Sequence, residues 1–298
     1  MPNQDAEASR NAIARIAPAL FVLIWSTGFV TARLVAPYAE PLSFLMLRYV
    51  LAIAILGAIA LHAGAAWPKT ARDWRDGLIA GMLLHGLYLG GVFWAVRNGL
   101  SAGISALIIG LQPLATALLV GWLLGERVSA RRWLGVATGF AGAALVITPG
   151  IGEGAGAPPM QVAICLAAML AITLGTIWQK RTGGTQDPRS NTVVHFIGAA
   201  LITAPAAMLL ETGRIEFNTP VVIGLAWSVF GISIGGIFLL LALIRRGAVA
   251  GVAALLYLVP PVSALMAYAL FGETLTIVQI GGMALAALGV AVAASRKA

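Results

Sequence analysis

Ten stretches of this chain are apolar over roughly the length needed to cross a bilayer, with almost nothing charged inside them. They lie at approximately 16–34, 42–61, 77–96, 102–124, 133–149, 160–179, 192–210, 220–243, 248–271 and 275–294, between charged or Pro/Gly-rich breaks. A membrane helix needs about 20 predominantly apolar residues. A chain that is 60% hydrophobic and 10% charged, against about 45–50% and about 25% in soluble domains, has too little polar surface for a water-soluble globule. The longest polar stretches, residues 1–15, 62–76 and 180–191, are too short to fold separately. That excludes a soluble catalytic or ATPase domain, and no Walker A sequence is present. The expected fold class is an all-α integral membrane protein with ten transmembrane helices. The first run exceeds the 7–15 residues of a signal-peptide core and is read as a retained helix behind a cytoplasmic segment, 1–15.

The net charge of +8 is explained by where the basic residues fall. With the N-terminus in the cytoplasm, fifteen face that side: Arg10, Arg15, Lys69, Arg72, Arg75, Arg127, Arg131, Arg132, Lys180, Arg181, Arg189, Arg245, Arg246, Arg296 and Lys297. Only Arg33, Arg97 and Arg214 face the other, and Arg48 lies within the second run. By the positive-inside rule both termini are cytoplasmic, which an even number of spans requires. Basic residues spread over many loop edges make a topological signal, so nucleic acid is not an expected partner. The partners are the lipid bilayer and a small molecule. The single cysteine, Cys165, excludes an intramolecular disulfide, and without an HExxH motif no metal or cofactor is expected.

Sliding the chain against itself gives a register at 147 residues. Pro113 falls on Pro260, Gly125-Glu126 on Gly272-Glu273, Gly135 on Gly282, Gly142 on Gly289 and Gly28 on Gly175. These residues fix where helices bend, end or approach closely, so the match is more than shared hydrophobicity. Each half, 16–150 and 151–298, holds five spans. Five is odd, so the second half enters the membrane inverted relative to the first, the architecture of secondary transporters with a midplane site between halves.

At these positions the chain resembles the EamA branch of the drug/metabolite transporter superfamily, whose halves each carry a span with a central Pro ending in Gly-Glu. Leu47-Arg48-Tyr49, after Pro41, is similar to the start of the family's second span. Within the branch, length and aromatic-rich spans are similar to the bacterial YddG-type exporters of aromatic amino acids. The resemblance implies a ten-helix carrier of the bacterial inner membrane that exports amino acids or related metabolites by alternating access. The second half departs from the first where His195 replaces Arg48 and Ile172 replaces Trp25.

Polar side chains inside spans form the list of candidates. Gly81, His85 and Tyr88 share one face of the third span, and Ser105, Gln112 and Thr116 one face of the fourth. Thr173 and Thr176 are neighbours in the sixth, Tyr257 and the tandem Pro260-Pro261 lie in the ninth, and Trp25 sits at midplane depth in the first. The expected substrate contacts are Trp25, His85, Tyr88, Gln112, Thr173 and Tyr257, with Pro113, Pro260 and Pro261 as helix breaks that gate. Each has a plainer structural alternative: Trp near a span end belongs to an interfacial belt, Ser and Thr bond their own helix, and a mid-span His or Gln can be a satisfied packing group. Arg48, about two turns from the outer end, is read as snorkelling or pairing with a helix end.

A lining of this kind suits a neutral or zwitterionic, partly apolar solute, and an aromatic amino acid fits best. No carboxylate lies at mid-depth, so facilitated diffusion is expected, with a His-linked proton couple as the alternative. Gly99-Leu100-Ser101-Ala102-Gly103 matches the G-x-S-x-G of hydrolases, which leaves an intramembrane serine protease using Ser101 as a remote alternative. The motif lacks its strand–turn–helix context. The protein is therefore read as no enzyme. Gly135, Gly139, Gly142, Gly281 and Gly282 suit packing within the chain, leaving a monomer or weak dimer.

Overall fold

The computed structural model describes residues 2–124, 129–147, 158–182, 186–236, 239 and 258–294, with side chains from residue 19 onward except at 117, 120–124, 132, 147, 293 and 294. Among them every regular element is a helix: α1 (Pro2–Val35), α2 (Pro41–His62), α3 (Ala71–Arg97), α4 (Ala102–Gly110), α5 (Gln112–Leu124), α6 (Ala130–Ile147), α7 (Pro159–Thr182), α8 (Pro188–Leu210), α9 (Thr219–Gly236), α10 (Val259–Phe271) and α11 (Ile277–Ala294). An isolated bridge joins Ala39 to Ile215. Helices α2, α3, α7, α8 and α9 are long and apolar enough to cross a membrane, and shorter apolar helices occupy the other expected spans. The early part of the ninth run, with Tyr257, lies outside the described residues, as does Glu126.

Local sequence chemistry sets the helix ends. Thr70 and Asp73 form a reciprocal capping box that opens α3, Asp187 followed by Pro188 opens α8, and Asn218 opens α9. Each supplies a side-chain oxygen to amides that have no partner within the helix. At the other end of an element, Gly272 adopts φ +67° and terminates α10, a backbone region open to glycine without steric penalty.

Pro113 breaks the fourth span. Its ring nitrogen cannot donate to Ile109 and its ring crowds that carbonyl. The chain answers with a turn at Leu111, whose N–H bonds Ile108 O at 3.2 Å. The break faces the start of α10, since a Cβ on Gly110 would lie 2.7 Å from Pro260 Cγ.

Helices at equivalent positions of the 147-residue register pack on each other, α2 on α8 and α6 on α11, while α4 packs on α10, the helix equivalent to its neighbour α5. The α6–α11 seam is reciprocal. A Cβ on Gly142 would sit 2.4 Å from Ala286 N, and one on Gly289, its counterpart, 2.3 Å from Gly139 N. Gly135, Gly139, Gly142 and Gly282 thus serve close approach within the chain, while a Cβ on Gly281 would meet nothing. Likewise α3 lies on α8, where a Cβ on Gly81 would fall 2.0 Å from His195 O. The buried centre is built from Phe44, Leu45, Tyr49, Ile108, Leu111 and Phe196, while Leu201, Leu209, Phe230, Leu265 and Leu288 project outward. Apolar side chains on the outside as well as the inside are what a bilayer solvent permits.

Candidate substrate site

Two helices lose the α-helical pitch near the middle of the bundle. In α3 the stretch Met82–Leu87 is π-helical, and in α9 the stretch Trp227–Gly236. Shifted by 147 residues, positions 82–87 become 229–234, inside the second stretch. A π turn re-aims side chains and exposes carbonyls, and such turns recur at functional sites. Here the His85 carbonyl accepts the Tyr49 hydroxyl at 2.8 Å, and the Ser228 carbonyl accepts Ser233 Oγ at 2.9 Å.

Between the two π stretches lies Arg48. It is 4% exposed, its Nη2 donates to Ser233 Oγ at 3.2 Å, and its Nε has no hydrogen-bond partner. The expectation that Arg48 snorkels or binds a helix end is corrected: its side chain runs sideways to α9, where Ser233 stands at its height. It pairs with no carboxylate among the described residues. Tyr49, His85 and Tyr88 lie within electrostatic reach of the guanidinium. His195, at the position equivalent to Arg48, is 5% exposed and within 3.2 Å of Asn191 Nδ2 through its Nε2. The His85 and His195 rings are 6.2 Å apart, and Phe196 lies 4.7 Å from His85 and 5.8 Å from Tyr49.

The structure thus groups two of the sequence-derived candidates, His85 and Tyr88, around Arg48. Gln112 lies in a second polar contact, donating to Thr176 Oγ1 at 3.0 Å and so joining the two halves. Thr116, Thr173 and Thr176 each bond a carbonyl four residues back in their own helix, and Thr173 is fully buried. Trp25 is half-buried against Phe21, with ring centroids 5.2 Å apart. A groove of about 320 Å³ opens between α3, α7 and α8, lined by apolar surface including Gly86, Gly90, Ile164 and Ala168. None of the five described candidate contacts lines it. Sequence reasoning missed Arg48, Tyr49, Asn191 and Ser233 as members of the central cluster; a lone arginine inside an apolar span was the available signal. Among the described residues no group of three or more His, Cys, Asp or Glu could hold a metal ion.

The two ends of the bundle carry different connections. At one end Glu273, just past the Gly272 stop, accepts from Arg33 Nε at 2.9 Å and from Ala102 N, at the start of α4, at 3.0 Å. Glu211 accepts from Leu42 N and Ser43 N at 2.9 and 2.8 Å, and Glu40 from Thr212 N and Arg214 N at 2.9 and 2.8 Å. Burial of Glu40 acts to raise its carboxyl, yet the Arg214 and Thr212 donors outweigh it and hold the group below its ordinary value. At the other end Ser190 Oγ donates to Ala66 O, and the Trp178 indole donates to Asp76 O at 3.1 Å. The Arg189 guanidinium holds the Asp187 carboxyl down at about 2. Ser101 Oγ, the residue of the hydrolase-like motif, accepts from Ile104 N at 3.1 Å and caps α4.

Comparison with known proteins agrees with this two-part build. The EamA-like transporter family matches residues 14–148 and again 160–295. The chain is 24% identical over 269 residues to the "Uncharacterized transporter YvbV" of Bacillus subtilis, covering 90% of this chain and 87% of that protein. It is 26% identical over 280 residues to the "Probable amino-acid metabolite efflux pump" of Salmonella typhimurium, covering 91% of each. A crystal structure 20% identical in sequence superposes with a TM-score of 0.66 over 93% of this chain and 96% of that one, a likeness of fold. The proteins of Bacillus subtilis and Salmonella typhimurium are a transporter and an efflux pump by name, in keeping with a membrane protein that moves small molecules rather than an enzyme. The chain belongs to the EamA-like transporter family.

Proposed function

We propose that this protein is a secondary transporter that exports amino acids with apolar or aromatic side chains across the bacterial inner membrane by alternating access. Ten helices cross the bilayer as two inverted five-helix repeats, 16–150 and 151–298, behind a cytoplasmic segment, 1–15, with both termini cytoplasmic. The end carrying Glu40, Glu211 and Glu273 faces outward. The observation that carries this reading is that the equivalent π stretches of the two halves each supply a member or a partner of the cluster of Arg48, His85 and His195, together with the Leu111 break set against Pro260. Helices that lose their regular ladder at mid-depth are where transporters of this build hold their cargo. Amino acid as cargo draws on the efflux pump of Salmonella typhimurium and on the aromatic surroundings of the cluster. His85, Tyr88 and Gln112 act as contacts, as do Trp25, Thr173 and Tyr257 when the cavity opens, and Pro113, Pro260 and Pro261 act as hinges.

No carboxylate stands beside the central cluster among the described residues, so transport runs down the substrate gradient. A second reading, proton coupling, is favoured by one observation, the approach of His85 and His195 to 6.2 Å. Uptake of labelled phenylalanine or tryptophan into proteoliposomes, with threonine and a sugar nucleotide alongside and with or without a pH gradient, separates the readings. Saturable aromatic uptake indifferent to the gradient is expected. Gradient dependence moves the account to the histidines, and flux of the nucleotide alone overturns the amino-acid assignment.

A further inference from the structure

We infer that Arg48 is the receptor for a carboxylate of the transported molecule, so that the cargo itself supplies the counter-charge this buried guanidinium lacks. The inference rests on the transporter reading and narrows it to solutes that carry a carboxylate.

A guanidinium stays protonated in proteins. At 4% exposure, about 10 Å along α2 from its Pro41 end at 1.5 Å per residue, a lone cation is expensive unless something neutralises it. The described neighbours do not. Ser233 gives one neutral acceptor, and its own hydrogen goes to the Ser228 carbonyl. Tyr49 spends its hydroxyl hydrogen on the His85 carbonyl. The carboxylates at the nearer end are engaged elsewhere, Glu40 by the Thr212 and Arg214 amides and Glu211 by Leu42 and Ser43.

What remains is donor capacity of a particular shape. Nε–H has no partner, and Nη2 carries two hydrogens, of which Ser233 takes one. Donors on Nε and Nη2 form the planar fork that matches the two oxygens of a carboxylate. The fork lies against the π stretch of α9 and within electrostatic reach of Tyr49, Tyr88 and His85, whose rings can offer apolar faces to the body of a ligand. A phosphate dianion would need further fixed cations at this depth. The other arginines and lysines lie near span ends or in connecting segments, and His85 and His195 count as neutral at pH 7, so one negative charge is what the site balances.

The test is ligand-dependent thermal stabilisation of the purified full-length protein in nanodiscs, read with four probes: phenylalanine, 3-phenylpropionate, phenylalanine amide and phenethylamine. The first two carry the carboxylate and the last two do not. The expected result is stabilisation by the carboxylates, with apparent affinity at least about thirtyfold above that for the amide or amine, in line with the penalty for removing one partner of a buried charge pair. Arg48→Gln is expected to lose this preference. Arg48→Lys guards against a merely structural role. If Arg48 only braces the π stretch of α9 through the Ser233 hydroxyl, a lysine ammonium can take over that bond and the preference survives; if the planar fork binds cargo, Arg48→Lys keeps the charge and loses most of the preference. Should Arg48→Gln fail to fold, the four probes on the unmodified protein still decide. Equal response to carboxylate and amide, or an unchanged preference in Arg48→Gln, overturns the inference and leaves the transporter reading standing. Binding of 3-phenylpropionate without phenylalanine supports the inference and overturns the amino-acid assignment instead.

Discussion

Replacing Glu273 with Gln should loosen the end of the bundle at which α1, α4 and α10 meet. The carboxylate is 15% exposed and accepts two donors, Arg33 Nε at 2.9 Å and the Ala102 amide at 3.0 Å. A hydrogen bond to a charged group contributes about 1.5–3 kcal/mol and a neutral one about 0.5–1.5 kcal/mol, so neutralising the acceptor loses about 1 kcal/mol per bond. Arg33 is 39% exposed, and solvent screening cuts its share by about half. The net of about 1.5 kcal/mol is roughly a tenfold shift in the equilibrium between closed and open at this end, since about 1.4 kcal/mol is a factor of ten. Spin labels at Asn98 and Thr274, both exposed at that end, in a Cys165→Ala background, would report the two populations as short and long distances. The long-distance population should rise about tenfold relative to the short one in Glu273→Gln. Arg33→Gln should act in the same direction, and the double variant should show less than the sum of the two. Unchanged distances in Glu273→Gln, or strictly additive effects, would refute the idea that the Glu273 contacts hold this end closed.

Gly142→Leu should force α6 and α11 apart, because its Cβ alone would lie 2.4 Å from Ala286 N. A loss of about 2–3 kcal/mol is expected as a lowered unfolding midpoint, and Gly281→Leu, where no atom stands within 4 Å, should lose little. Ser101→Ala should lower stability by about 1 kcal/mol as a removed cap and leave transport rates intact, whereas abolished activity would revive a nucleophilic role. For Asp187, whose carboxyl sits at about 2 in the fold against an ordinary 3.8, the stabilising effect is present above about pH 4 and is lost as pH falls through about 2. Unfolding midpoints measured across that window should steepen in the unmodified protein and flatten in Asp187→Asn.

Much of the frame was legible because it depends on periodic, local signals. Apolar run length located the helices, the Pro113 break follows from a missing donor, and the matched glycines of α6 and α11 announced a close seam. The Gly272 stop and its glutamate were also readable, though not that Glu273 would reach Arg33 and Ala102, 240 and 171 positions away in the chain. The centre was less legible. Face sharing put His85 beside Tyr88, but the π stretches leave no mark in the pattern of apolar residues. Without them the height of Ser233 relative to Arg48 cannot be guessed. Depth along α2 suggested that Arg48 could reach a helix end, and only the packing of α9 shows it held within the bundle. Thr173 turns to its own backbone and Gln112 to Thr176, choices that depend on neighbours no linear spacing reveals.

The central claim, a carrier that exchanges access between two sides for a carboxylate-bearing solute, is tested most directly by counterflow. Proteoliposomes holding a high concentration of unlabelled phenylalanine are diluted into a trace of labelled phenylalanine, without a pH gradient. The account predicts a transient overshoot of label inside that Arg48→Gln abolishes. Label that merely equilibrates without overshoot, as through a channel, or no protein-dependent uptake at all, would contradict it.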